Sequence, residues 1–449
     1  MPPAKSKDKE ANRLTGRIAR YAKVSTQVGG VAARMAGQRL FGKKGDHAGQ
    51  AASLRAALGG LRGPLMKVAQ MLSTIPDAVP AEYAAELSQL QSNAPPMGWP
   101  FVKRRMAAEL GKDWESKFKE FGREAAAAAS LGQVHQATSL KGEKLACKLQ
   151  YPDMQSAVEA DLSQLKIILG LFERVDPAFR TKQVQAEVSD RLREELDYTR
   201  EANALGAFTE MLKDVEGVHL PHVLPDLSTD RLLTMNWLEG KKIPEFYKAS
   251  QKRRDELAHK LFQAWYIPFY HYGVIHADPH PGNYLVTEDG ELNILDFGCV
   301  RVFPPKFVAA VISLYRALQV DDVKATANAY KEWGFKDLKP ELVNILNVWA
   351  RFIYGPILDD RTRLIDETNS GEFGRAMARK VHFSLRDVGG IEVPGEFVFM
   401  DRAAIGLGSV FFHLKAKQNW YQQFNALIAD FDEAELAKRQ KKLLAKYKL

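Results

Sequence analysis

The sequence predicts an α+β chain: a helical N-terminal extension, a small mixed α/β lobe and a large helical lobe. Three observations predict it. Apolar residues recur at helical spacing through much of residues 13–111. Beyond about residue 112, short alternating runs bounded by turn formers take over. After Glu239-Gly240 the pattern is almost wholly helical, except around residues 274–300.

Residues 1–12 are Lys-rich and read as a disordered tail. Residues 13–42 set Leu14, Ile18, Tyr21, Val24 and Val28 beside Arg13, Arg17, Arg20 and Lys23. Such a helix suits an anionic membrane surface, or packs on its own domain with a solvated basic face. Residues 49–75 read as a helix or helix pair, broken near Gly59-Gly60 and Gly63-Pro64, with Lys67 and Gln70 following on the second part. Glu82–Gln91 is a further amphipathic helix, and Asn93–Pro100 is rich in turn formers and reads as a linker. Gln133–Ala137 and Lys144–Gln150 are strands around the turn Lys141-Gly142. Residues 155–175 and 183–212 are long helical stretches, and His222–Val223 and Arg231–Met235 read as strands. The domain boundaries expected from this order are a tail 1–12, an extension 13–111, a mixed lobe 112–238 and a helical lobe 239–449.

Composition narrows the class without choosing a function. The chain has 449 residues, enough for more than one core. Lys and Arg exceed Asp and Glu by 63 − 55 = 8, which suits an anionic partner: nucleotide, phospholipid surface or nucleic acid. Zinc-finger spacing, RNA-binding aromatic motifs and a basic recognition helix are all missing, so nucleic acid is not the expected partner. Two cysteines, Cys147 and Cys299, cannot build a disulfide framework and fit a reducing compartment. The longest apolar stretches, Leu261–Ile275 and Ala403–Phe412, fall short of the about 20 residues that span a bilayer. A cytoplasmic protein, peripheral at most to a membrane, is therefore expected. Residues 13–44 are Arg-rich with few acids, which leaves a mitochondrial transit peptide open.

The chemistry concentrates in one string. Residues 276–283 read His-Ala-Asp-Pro-His-Pro-Gly-Asn, and Asp296-Phe297-Gly298 follows the apolar run Leu292–Leu295. Kinases use His-x-Asp-x-x-x-x-Asn followed by Asp-Phe-Gly. Asn283 stands five residues after Asp278, and Asp296 thirteen after Asn283. Two short strands and their turn fit that interval, and the hairpin would bring Asn283 and Asp296 together. Mg²⁺ is a hard cation that takes oxygen ligands, which an amide and a carboxylate supply. Asp278 is the candidate to accept a proton from an attacking hydroxyl or to orient water. A lone Asp-Phe-Gly is a common turn after a strand; the combined string with both spacings is specific. His276 reads as structural, bonding to backbone. His280 stands where many protein kinases have a Lys, and it carries less positive charge at neutral pH.

Upstream, Ala146-Cys147-Lys148 on a strand matches the Val-Ala-Ile-Lys type of motif, whose Lys grips the α- and β-phosphates. Cys147 should point away from Lys148, since strand side chains alternate. The acid run Glu194–Glu201 offers a partner. On a continuous helix Asp197 and Glu201 share a face, with Glu195 well around from both. Two parts of the kinase pattern are missing. Ala125–Ala129, Ser130, Leu131 and Gly132 replace a glycine-rich loop, although non-glycine residues reach left-handed backbone only at about 1–2 kcal/mol. After Gly298, Pro304-Pro305 leads quickly to a helix at about Lys306–Leu318 with no Ala-Pro-Glu anchor, so a protein substrate is not expected. The fold is thus an atypical protein-kinase-like one.

Together these departures resemble the UbiB/ADCK, or aarF-domain, atypical kinases over most of residues 55–410. Ala127-Ala128-Ala129-Ser130-Leu131-Gly132-Gln133-Val134-His135 resembles the family's Ala-rich loop. Lys67-Val68-Ala69-Gln70 is similar to its Lys-x-Gly-Gln motif, with Ala69 in place of the Gly, and Glu195-Leu196-Asp197 to its Glu-x-Asp motif. The resemblance implies ATP or ADP with Mg²⁺ as the bound pair. Ala127, Ala128, Ala129, Ser130, Gln133, Lys148 and Glu201 would then bind nucleotide, Asn283 and Asp296 the metal, and Asp278 would be catalytic. It implies that Lys67, Gln70, Glu195 and Asp197 are regulatory, Lys67 pairing with Glu195 over the cleft and excluding peptides. It further implies ATPase or small-molecule phosphotransfer in support of ubiquinone or isoprenoid lipid synthesis, with a quinone-pathway molecule or lipid and an anionic membrane surface as partners. The alternative is a nucleotide-gated lipid- or partner-binding module with little turnover. Bacterial relatives often carry C-terminal membrane helices; Glu433–Leu449 instead reads as a basic helical tail.

Overall fold

The computed structural model describes residues 97–449 apart from 130, 161, 164–165, 167–188, 191, 368–376, 378–379, 382–383 and 385–393, and describes 395–399 and 401–402 by backbone alone. The expected tail, the extension up to residue 96 with Lys67, Ala69 and Gln70, and Ser130 lie outside the described residues. Contacts divide the chain into two compact units: Met1–Ala202 with His222–Trp237, and Asn203–Pro221 with Leu238–Leu449.

The first unit is built on a sheet in the order β1-β3-β4-β6, with β2 also paired to β3. Its strands are β1 (Phe118–Phe121), β2 (Ala127–Ala129), β3 (Gly132–Ser139), β4 (Lys144–Gln150) and β6 (Leu232–Asn236). Neighbours run antiparallel throughout, and Val134, Lys148 and Leu233 sit side by side across β3, β4 and β6. Leu145, Cys147 and Leu149 alternate along β4 and are all fully buried. They face Val102 and Met106, one turn apart on helix α1 (Trp99–Leu110), together with Trp114, Phe118, Ala137 and Leu232. That apolar face leaves Ala146, Lys148 and Gln150 on the other side of β4.

Two expectations about this unit need correction. Asn93–Pro100 is not wholly a linker, because α1 already starts at Trp99; Pro100 suits a first helical turn, where no amide hydrogen is needed. Nor is 183–212 one helix. The chain is helical at 189–190 and 192–194, turns at Glu195 and Leu196, and restarts as α2 (Tyr198–Met211). Asp197 causes the restart: its carboxylate accepts the Arg200 amide at 2.9 Å, and its carbonyl accepts the Glu201 amide. This is an N-cap, so Asp197 lies outside the helix and shares no helical face with Glu201. His222–Val223 shrinks to a single bridge between Val223 and Met235.

The second unit is mainly helical. Helix α3 (Gln251–Tyr272) starts where the Ser250 hydroxyl accepts the Arg253 amide and stops at Gly273, whose φ of +65° is cheap only for glycine. From there β8 (Val274–His276) leads into the hairpin of β9 (Tyr284–Val286) and β10 (Leu292–Ile294), and β11 (Val300–Val302) returns antiparallel to β8. The hairpin sits in a second sheet, β5-β10-β9-β7, with β5 at Val218–His219 and β7 at Lys241–Lys242. Helices α4 (Pro305–Gln319), α5 (Val323–Glu332), α6 (Pro340–Tyr354), α7 (Gly395–Leu414), α8 (Trp420–Ile428) and α9 (Glu433–Tyr447) follow. The basic segment from Glu433 is not a free tail. As α9 it buries Leu436, Gln440 and Leu443 against α3 and α4. Among the described residues, no helix is long and apolar enough to cross a membrane.

Candidate functional site

In the sheet unit, β4 and α2 bring together two charges that are 53 residues apart in sequence. The Lys148 ammonium donates to both carboxylate oxygens of Glu201, at 2.7 and 2.9 Å. The pair is deeply buried, with side-chain exposures of 10% and 4%. Charges that far from water persist only when paired and hydrogen-bonded. Lys148 Nζ also lies 5.3 Å from the centre of the Tyr198 ring, one turn before Glu201. Gln150, on the same face of β4 as Lys148, donates to the Leu196 carbonyl at 3.1 Å and fixes the turn from which α2 starts. Neither Gln150 nor Tyr198 was singled out from sequence; the period-2 relation of Gln150 to Lys148 was the available signal.

The Ala-rich segment is a hairpin rather than an open loop. Ala127, Ala128 and Ala129 form β2, opposite Val134, Gln133 and Gly132, and the Ala127 and Ala128 methyls are exposed. Gly132 is where this hairpin crosses β4: a Cβ there would lie 2.1 Å from the Leu149 carbonyl oxygen and 3.0 Å from the Tyr198 hydroxyl. The Gln133 side chain does not turn outward as a nucleotide ligand would. It is 1% exposed, its oxygen accepts the Met97 amide at 2.6 Å, and its nitrogen donates to His135 Nε2 at 2.7 Å and, at 3.3 Å, to the Met97 carbonyl. Its amide therefore ties the start of α1 to β3. Burial lowers the pKa of His135, which bonds through Nδ1 to the Gly122 carbonyl and stacks on Phe121. Cys147 is buried, and burial pushes its thiol up to about 12, so it packs and does not react. Glu195 is half-buried in the turn before Asp197, and Glu194 pairs with Arg200 at 3.5 Å.

In the helical unit, the β8–β11 ribbon carries the remaining expected residues, His276 to Asp296. His276 Nε2–H donates to the Asp296 carbonyl at 2.7 Å, and its Nδ1 accepts the Asp278 amide at 3.4 Å. One buried ring thus ties the two acidic positions together by their backbones. Phe208, Trp265 and Phe297 hold that ring edge-on. Asn283 donates its side-chain nitrogen to the Asp278 carbonyl and carboxylate at 3.2 and 3.1 Å. Its amide oxygen is thereby turned away from Asp278. The Leu295 amide donates to the Asn283 carbonyl, which brings the end of β10 and Asp296 beside Asn283. Asp296 is exposed, has a φ of +58°, and accepts the Gly298 amide at 3.1 Å. Asp tolerates that left-handed backbone better than most residues, and such positions cluster at functional sites. His280 is exposed; its Nδ1 accepts the Gly282 amide at 3.0 Å, which leaves Nε2 as the outward donor. Tyr284 anchors the hairpin to α3, its hydroxyl accepting from the Trp265 indole at 2.9 Å.

The donor set suits Mg²⁺. Asn283 and Asp296 offer hard oxygens from two adjacent positions. Among the described residues, no group of three or more His, Cys, Asp or Glu could hold a metal without further help. Mg²⁺ commonly takes one or two protein oxygens and completes its shell with phosphates and water.

Comparison with known proteins points to one family. The ABC1 atypical kinase-like domain matches residues 89–330. The chain is 31% identical over 277 residues to the mitochondrial atypical kinase COQ8 of Saccharomyces cerevisiae, across 61% of this chain and 55% of that protein. It is 31% identical over 286 residues to AarF domain-containing protein kinase 1 of Xenopus tropicalis, across 62% and 55%. It thus spans about half the length of the curated relatives it matches. Among solved structures, the complex of Rv3197 with erythromycin from Mycobacterium tuberculosis superposes with a TM-score of 0.60 at 25% identity, covering 90% of this chain and 98% of that one.

Proposed function

Because the chain belongs to the UbiB/ADCK family of atypical kinases, we propose that it binds ATP, or ADP, with Mg²⁺ and passes the γ-phosphate to water or to a small lipid-like acceptor. The observation that carries this reading is the His276 ring binding the Asp278 amide and the Asp296 carbonyl, with Asn283 donating to Asp278 between them. On this reading Asn283 offers its amide oxygen and Asp296 its carboxylate to the metal, and the bound Mg²⁺ neutralises charge on the phosphates. Asp278 takes the proton of an acceptor hydroxyl or orients water. Lys148, oriented by Glu201, grips the α- and β-phosphates. Ala127, Ala128 and Ala129 on β2, together with Ser130, bind the phosphates, the alanines contributing backbone and small methyls. His280 supplies a weaker donor than a Lys to the transferred group.

Lys67 and Gln70, with Glu195 beside the Asp197 cap, regulate access and exclude peptides. The biological setting is ubiquinone or isoprenoid lipid synthesis, or lipid homeostasis, at an anionic membrane surface touched peripherally. A second reading is a nucleotide-gated module that binds a small molecule with little turnover. The similar structure solved in complex with erythromycin favours it, since that protein was captured with a small molecule bound.

The test uses purified protein, ATP and Mg²⁺, with and without anionic liposomes and phenolic quinone precursors. Stimulated phosphate release that vanishes in Asp296→Asn is the expected result. Tight nucleotide binding with no release under any of these conditions moves the conclusion to the second reading. Robust labelling of added proteins would overturn the small acceptor.

A further inference from the structure

Gln440 is a polar residue buried on an otherwise apolar face of α9, 8% exposed between Leu436 and Leu443. A leucine would serve a plain packing role there. The amide instead makes two bonds: Nε2 donates to the Tyr272 carbonyl at 2.8 Å and to the Phe303 carbonyl at 2.9 Å. Tyr272 ends α3 just before β8, and Phe303 directly follows β11. The Phe303 amide also donates to the Gly273 carbonyl at 2.7 Å, while at the far end of the ribbon the Ala277 amide donates to the Cys299 carbonyl at 2.8 Å. Every group from Asp278 to Asp296 is therefore suspended between two strands whose base Gln440 bridges.

The fit at that base is exclusive. Gly273 is the α3 terminator, and a Cβ on it would lie 2.4 Å from Gln440 Nε2 and 2.8 Å from the Phe303 carbonyl oxygen. The neighbouring Arg439 donates to the His271 carbonyl at 3.0 Å. The last carbonyls of α3, which have no partner within their own helix, are thus taken by two consecutive side chains of α9. The other end of α9 holds the later turns of α2, from Asn203 on, which belong to the helical unit. Lys446 and the Tyr447 hydroxyl both bond the Glu210 carboxylate, and the Tyr447 ring lies where a Cβ on Gly206 would come within 2.8 Å of it.

We propose that Gln440 is a positioning residue: through it, α9 closes the base of the β8–β11 ribbon and sets the spacing of Asp278, Asn283 and Asp296. The role rests on reading those three groups as the metal and phosphate ligands. Deleting the two donors leaves two buried carbonyls unsatisfied, and the ribbon relieves this by opening at its base.

Gln440→Met keeps the bulk and removes both donors. Hydrogen exchange of the full-length, nucleotide-free protein is followed by mass spectrometry, and the Mg²⁺ half-saturation of fluorescent-nucleotide binding is measured alongside. Exchange across residues 274–302 should quicken about tenfold or more, with other helices unchanged, and Mg²⁺ half-saturation should rise about fivefold. Lys441→Ala, an exposed neighbour on α9, should match wild type in both. Gly206→Ala supplies a second variant: alanine ordinarily favours a helix, yet here its methyl displaces Tyr447, so exchange of α9 should quicken. A lower melting temperature with ribbon exchange and Mg²⁺ half-saturation as in wild type would make Gln440 a helix cap only and end the proposal. Wild-type protein that fails to bind Mg-nucleotide would sink the proposed function instead, and the exchange data would still judge the bridge on their own.

Discussion

In the sheet unit, Lys148 is withdrawn from water and locked to Glu201 by two side-chain bonds. In the helical unit, Asp296 is exposed, and its place is set by backbone: its carbonyl on His276 and its own carboxylate on the Gly298 amide. The first arrangement makes a charged group part of the fold. The second leaves a charged group exposed, with one carboxylate oxygen on the Gly298 amide and the main chain held by His276. A buried ion pair therefore couples stability to ligand binding, whereas an exposed carboxylate on a rigid ribbon separates them.

That separation gives the largest expected effect. Asp296→Asn keeps a residue that tolerates the +58° backbone and removes the charge. Phosphate release should fall about a hundredfold or more, the scale of losing a group aimed at transition-state charge. Unfolding free energy in urea should stay within about 0.5 kcal/mol of wild type, as for other exposed positions. A variant that is both inactive and markedly destabilised would erase the contrast between the two units.

Glu201→Ala should behave in the opposite way. Removing one partner of a buried pair costs up to about 3–5 kcal/mol, because the other charge stays behind. Nucleotide affinity should fall with it. The double variant Lys148→Met with Glu201→Met sharpens the comparison: it should recover much of the lost stability in denaturant titrations while nucleotide affinity remains lost. If affinity returned together with stability, Lys148 would be an architectural residue and nothing more.

The same contrast explains how much could be read from sequence. The β8–β11 ribbon was legible because its groups lie within about two dozen consecutive residues, spaced by the strands that join them. The Lys148–Glu201 pair spans 53 positions, and only motif matching located both ends. Less visible were residues that act through backbone contact. Gly132 looks like one more small residue in an Ala-rich run, yet only a glycine lets β3 pass the Leu149 carbonyl. The family resemblance implied Gln133 as a ligand; strand alternation turns it inward to Met97 and His135. Asp197 read as a helical residue because the acid run looks continuous, but a short polar side chain two to three residues before free amides ends one helix and begins another.

His135 supplies a pH test confined to the sheet unit. Burial lowers its pKa from 6.5, so the folded state disfavours the charged ring and the unfolded chain binds the extra proton first. Its contribution is complete above about pH 6.5 and declines as pH falls from there through the lower folded-state value, by at most about 1.4 kcal/mol per pH unit. Protonation also places N–H against the Gln133 nitrogen, which already donates to that ring. Urea titrations at pH 7.5 and 5.5 should show a larger loss for wild type than for His135→Gln. Equal losses would locate the acid sensitivity elsewhere, for instance at His271, whose pKa burial also lowers.

The smallest expected effect decides what Asp197 does. As an N-cap it orients the first turn of α2, where Glu201 sits, by accepting the Arg200 amide. Asn caps nearly as well as Asp, whereas Ala does not. Asp197→Ala should therefore cost about 1 kcal/mol and weaken nucleotide binding slightly through Glu201, while Asp197→Asn should differ from wild type by only a few tenths. A regulatory carboxylate behaves differently. If its negative charge were the working feature, Asn and Ala would change turnover alike, whatever they did to stability. Measuring both variants by denaturation and by phosphate release separates a cap that shapes the sheet unit from a charge that gates the reaction.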